Sequence, residues 1–158
     1  MKLKDIHNSR KLIIEDNLLN NLLRKVIEHY PNEFGGFLIG YYSSDFKTLF
    51  VKDFLLPQKY QGLLSIFERS IDGIKNIFYQ IFKIKGQYYI GEWHSHPNGG
   101  TMYSQTDLHA MIKIAEEETV RIKNPILLIL SVNPNSKTTI AFYLYDNKKL
   151  IKYEPDKY

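Results

Sequence analysis

Residues 87–107 read QYYIGEWHSHPNGGTMYSQTD, and the fold turns on how this stretch divides. QYYIGEW carries the aromatic and branched residues of a strand. PNGGTMY is a loop, in which Pro97 ends the strand and Gly99 and Gly100 allow a tight reversal. From about Gln105 to Glu118 the spacing predicts a helix, and Ser104 followed by Asp107 is close to a capping box. Residues two apart on a strand point the same way, so His94 and His96 can aim two imidazoles at one point. A lone HxH is more simply read as two polar residues finishing a strand. Catalytic zinc commonly takes three protein ligands and keeps a position open for water, so two imidazoles are not enough. Asp107, just inside the helix, supplies a third ligand if the loop folds the chain back.

The elements on either side follow from periodicity and breakers. KLIIE predicts a short strand, and about Asp16 to Tyr30 a helix with Asp16 as N-cap and Leu18, Leu19, Leu22, Leu23 and Ile27 as its apolar stripe. Pro31 stops it. FGGFLIGYY and TLFVKDFLL predict a strand pair joined across Ser43 to Lys47. Ile71, Ile74, Ile77, Phe78, Ile81 and Phe82 recur at helical spacing over about Ser70 to Lys83, and Gly86 ends that helix. PILLILSV, TTIAFYLY and KLIKYE predict final strands, with NPNS as the turn between the first two. Helices alternating with strands, without a glycine-rich phosphate loop, give an α/β or α+β sheet domain.

Composition narrows the chemistry. At 158 residues the expectation is one domain spanning 1–158. The absence of cysteine excludes disulfides, thiolate zinc sites and cysteine nucleophiles, so any metal must rest on histidines and carboxylates. The same absence sets aside the zinc deaminases, whose site needs a cysteine pair. The apolar run Ile126–Leu130 is far short of the roughly 20 residues of a membrane helix, and the N-terminal MKLKDIHNSRKLIIED lacks an apolar signal core. A cytoplasmic protein is expected. The net charge of +4 comes from scattered lysines, denser over Lys148 to Lys157, and reads as a solvated surface. Neither nucleic acid nor membrane is expected as a partner.

His94, Ser95, His96, Pro97, six intervening residues, then Ser104, Gln105, Thr106 and Asp107 fill every position of the pattern HxHPx(6)SxxD. In this the chain resembles the JAMM, or MPN-plus, zinc metalloproteases, whose signature adds an upstream glutamate. PNEFGGFLIG looks like the segment that carries it, at Glu33. Element order is similar over most of the chain. EFGGFLIG with YYIGEWHSHP looks most like the bacterial JAB-domain proteins, and among these the deconjugating peptidases of antiphage operons of the CBASS type. One departure is Tyr103, where bacterial relatives often have proline, which loosens the loop without touching a ligand.

The resemblance implies an MPN/JAB fold, a cytidine-deaminase-like curved mixed sheet packed with helices. It implies Zn2+ held by His94, His96 and Asp107, with Glu33 as general base and then acid, and Ser104 as donor to the oxyanion. Glu92 is the rival base, because it shares a strand face with both histidines; from there it could instead orient an imidazole. His109, two residues beyond Asp107 on a helix, turns away, and His7 and His29 lack any motif. Trp93 points opposite to the histidines, into the core. The function implied is a peptidase or isopeptidase that cuts the amide between the C-terminus of a ubiquitin-like or conjugated protein, such as a nucleotidyltransferase, and its target. The hairpin edge and the loop before Ser70 are where an extended substrate tail would add as a strand. The alternatives are a protease that processes sulfur-carrier proteins and a non-catalytic MPN interaction scaffold.

Overall fold

The computed structural model describes residues 1–7, 9–57, 75–135 and 137–156. Strands β1 (Lys2–Asp5) and β2 (Lys11–Ile14) lead into helix α1 (Asp16–His29), followed by strands β3 (Gly35–Tyr42) and β4 (Thr48–Leu55). The described residues of helix α2 are 75–85. Then come β5 (Tyr88–Pro97), α3 (Gln105–Glu116), β6 (Ile126–Val132), β7 (Thr139–Asp146) and β8 (Lys149–Pro155). The strands join as a closed barrel in the order β1-β2-β4-β3-β5-β6-β7-β8, and β8 returns to pair with β1. Among the described strands, only β2 with β4 and β5 with β6 run parallel. A parallel pair needs a crossover, and α3 is the crossover between β5 and β6. The mixed α+β architecture is the one expected, with the sheet curved to closure.

β5 lies between β3 and β6, so hydrogen bonds hold it on both edges and its run from Tyr89 to Ser95 is buried. Its pairing with β3 shifts register between Leu38 and Ile39, where Gly91 adopts φ 151°. A Cβ at Gly91 would lie 1.9 Å from the Ile126 carbonyl oxygen, so only glycine lets β6 approach here. The bulge puts Tyr89 and Glu92, three residues apart, on one face. Beyond it alternation is regular. Trp93, fully buried, packs edge-on against Phe34 and Phe54.

Helix α1 buries Leu19, Leu22 and Val26, an i, i+3, i+7 stripe. Each such burial contributes roughly 1.5–3 kcal/mol. Ile27, expected in the stripe, is 55% exposed, because the face that meets the barrel runs through Val26 instead. Asp16 is not the N-cap: Glu15 holds that position without a side-chain capping bond, and Asp16 pairs with the N-terminal amine at 2.8 Å. Strand β1 was not anticipated; it is four residues long and owes its existence to partners on both sides. Helix α3 stops at Glu116, two residues early. The expected start of the second helix, with Ile71 and Ile74, lies outside the described residues. No helix among those described is long and apolar enough to cross a membrane.

Candidate metal and catalytic site

His94 and His96 leave β5 on one face, and their Nε2 atoms stand 2.8 Å apart. Asp107 sits at the start of the buried face of α3, with Ala110, Met111 and Ile114 one and two turns on. Packing of that face brings its Oδ1 to 3.5 Å from His94 Nε2. One candidate ligand atom from each residue falls within 4.8 Å of the others, a group that could hold a metal ion. Ligands around a tetrahedral zinc at about 2.0–2.1 Å lie roughly 3.3 Å from one another, and the separations of 2.8 and 3.5 Å bracket that value.

Protonation suits the same use. His94 is 1% exposed, and burial pushes its imidazole down to about 4. The Asp107 charge pulls it up, His96 pushes it down, and the Glu33 charge pulls it up, without overcoming burial. His94 is therefore neutral at pH 7, so its contact with Asp107 is not an ion pair there. His96 Nδ1 donates to the Gly100 carbonyl at 2.9 Å, so Nε2 is the ring nitrogen that faces the group.

Asp107 is oriented by its own helix cap. Its Oδ2 accepts from the Ser104 amide at 2.6 Å and the Ser104 hydroxyl at 2.9 Å, while Ser104 Oγ accepts from the Asp107 amide at 3.1 Å. The capping box foreseen in the sequence is complete. With Oδ2 engaged, Oδ1 is the oxygen turned to His94. The hydroxyl proton that could meet an oxyanion is thus directed at Oδ2 in this state.

Glu33 lies in the exposed segment between α1 and β3, near enough for its charge to act on His94. Hydrogen bonds and ring contacts hold that segment. Phe34 donates its amide to Ser95 Oγ at 3.0 Å, and Ser95 returns its amide to the Phe34 carbonyl at 2.7 Å. The His29 ring stacks on Phe34 at 3.5 Å, and Tyr30 shares hydrogen bonds of 3.1 and 3.2 Å with the Asn98 side chain. Glu92 is fully buried and accepts from the Tyr89 hydroxyl at 3.2 Å, with burial pushing its carboxyl well above the usual range. Burial disfavours its charged form and seals it in the wall, a poor position from which to take a proton from water. His109 and His7 are exposed and outside the group, and His29 Nδ1 donates to the Lys25 carbonyl at 2.7 Å.

The connecting loop departs from expectation. Its left-handed residue is Asn98, at φ 57°, while Gly99 and Gly100 keep ordinary backbone angles. Asparagine tolerates this region better than most side chains. Tyr103 does not leave the loop loose, since its ring packs edge-on against Tyr143 at 5.2 Å. Ser95, Tyr30, Asn98 and Tyr143 drew no notice in the sequence, where only the serine's place between two ligands marks any of them.

Comparison with known proteins identifies the family and the fold. Residues 15–145 match the family described as prokaryotic homologs of the JAB domain. A CD-NTase/cGAS isopeptidase of Enterobacter hormaechei subsp. hoffmannii is 29% identical over 147 residues, covering 89% of this chain and 81% of that protein. The solution structure of a protein from Desulfitobacterium hafniense superposes with a TM-score of 0.62 at 18% identity, covering 89% of this chain and 88% of the other, a likeness of fold. The match over residues 15–145 places the chain among the prokaryotic JAB-domain proteins.

Proposed function

We propose that the chain is a JAMM-type zinc isopeptidase that hydrolyses the amide joining the C-terminus of a conjugated protein to its target. The observation that carries this is the convergence of His94, His96 and Asp107 beside the exposed Glu33 segment. The relative named as a CD-NTase/cGAS isopeptidase supports a nucleotidyltransferase as the conjugated protein and antiphage defence as the setting. The enzyme acts in the cytoplasm as one domain over 1–158, with neither nucleic acid nor membrane as partner.

His94, His96 and Asp107 would hold the zinc. When bound, zinc supplies Lewis acidity and lowers the pKa of water toward about 7. Glu33 takes a proton from the attacking water and delivers it to the departing amine, a role that its exposure at the mouth of the site permits. The Ser104 hydroxyl turns from Asp107 Oδ2 to the developing oxyanion. The Ser104 amide, 2.6 Å from Oδ2, keeps Asp107 in place meanwhile. Within the described residues, the pairing of β4 with β2 runs from Thr48 to Val51 and no further, so Lys52–Leu55 is the part of the hairpin with a side open to an added strand.

The decisive experiment combines metal analysis with cleavage. Purified protein should carry about one zinc per chain, and should release a nucleotidyltransferase from a protein fused to its C-terminus. Zinc uptake with cleavage only of a sulfur-carrier fusion would move the substrate assignment, and failure to take up zinc would end the catalytic reading.

A further inference from the structure

The loop between Pro97 and Ser104 must deliver Asp107 to the histidines, yet it is six residues long, contains two glycines and has no strand or helix of its own. Left to itself such a segment samples many conformations, and the Asp107 carboxylate would wander with it. Three successive carbonyls of the loop are instead fastened to three different strands. The Gly99 carbonyl accepts from Ser131 Oγ on β6. The Gly100 carbonyl accepts from His96 Nδ1 on β5 at 2.9 Å. The Thr101 carbonyl accepts from the Tyr143 hydroxyl on β7 at 2.7 Å.

Two of these donors have no place among the candidate ligands. Ser131 is paired in register with His96 across the parallel β5–β6 ladder, so its hydroxyl rises beside that imidazole. Tyr143 is 2% exposed, and its ring also carries the edge contact from Tyr103, the residue just before Ser104. We propose that Tyr143, with Ser131, is a positioning residue for the metal site. By holding the loop carbonyls to the barrel wall, it sets where the Ser104–Asp107 arm meets the two histidines.

This inference rests on the zinc-site reading, so its test includes a measurement that needs no zinc. Tyr143→Phe removes the hydroxyl and keeps the ring that Tyr103 touches. In the full zinc-loaded chain, the variant should release zinc to an excess of chelating dye about tenfold faster and lose about tenfold in kcat with KM unchanged, the range seen when partners behind metal ligands are removed. Ser131→Ala should shift both in the same direction. In the metal-free chain, hydrogen exchange of the amides over residues 98–107 should speed up in Tyr143→Phe while the thermal midpoint stays at the wild-type value. Unchanged loop exchange would overturn the proposal whether or not the protein takes up zinc. A midpoint that falls in step with faster exchange would also overturn it, by making Tyr143 a packing residue of the fold. Wild-type protein that takes up no zinc, with loop exchange still dependent on Tyr143, would refute the zinc reading and leave the fastening of the arm standing.

Discussion

Phe34 and Ser95 exchange two hydrogen bonds of 3.0 and 2.7 Å across 61 residues of sequence, tying the segment that carries Glu33 to the strand that carries both histidines. Ser95 lies between His94 and His96 and points to the opposite face, so it can act on the proposed base from behind the candidate ligands. Ser95→Ala should lower kcat about tenfold with zinc content and KM unchanged, and Ser95→Thr should restore it. Equal turnover in the alanine variant would show that Glu33 is held by other contacts.

Glu33→Gln removes the proposed proton acceptor and leaves the candidate ligands alone. Zinc content should remain near one per chain while kcat falls by at least about a hundredfold. Retained cleavage would require another base.

Glu92 supplies the contrast, through stability. Burial raises its folded-state pKa well above the usual value, so above about pH 4.5 the unfolded chain loses a proton that the folded chain retains. Ionisation then favours unfolding, and the group's penalty grows as pH rises toward the folded pKa. Glu92→Gln should raise the thermal midpoint at pH 7.5, with the gain shrinking as pH falls to about 4.5. A difference independent of pH would mean that Glu92 is ionised in the fold.

Ser104 closes both bonds of the capping box, so Ser104→Ala should cost about 1 kcal/mol in the metal-free protein, a fall of roughly 2–4 °C in thermal midpoint. It should also weaken zinc retention, because Oδ2 of Asp107 loses one of its two donors. An unchanged zinc affinity would separate the cap from the metal site.

Asp107→Asn keeps the shape of the third candidate ligand and removes its charge. Zinc measured after dialysis should drop to a small fraction of the wild-type content. A variant that retains a full equivalent would remove Asp107 from the ligand set.

Local rules were enough wherever the cause was local. The period of two on β5 put His94 and His96 on one face, and the spacing of Ser104 and Asp107 announced the cap of α3. They failed where a distant surface decided. Ile27 and Val26 are equally apolar, and only the barrel wall selects Val26. Glycine was the expected reversal residue, yet the left-handed angle falls on Asn98, whose amide is held by the Val132 carbonyl and whose side chain is held by Tyr30. No pattern in MKLKD marks β1, because a four-residue strand exists only through its neighbours.

The sequence by itself determined which side chains could form the site, because residue type, strand alternation and helix capping are properties of short windows. It also determined that sulfur ligands have no part in it. Tertiary structure decided which carboxylate is exposed near His94 and which is buried in the wall, Glu33 against Glu92. It decided too how the loop is pinned, through Ser131 and Tyr143. The reason is that desolvation and hydrogen bonds between residues tens of positions apart depend on barrel closure, which no window of the chain contains.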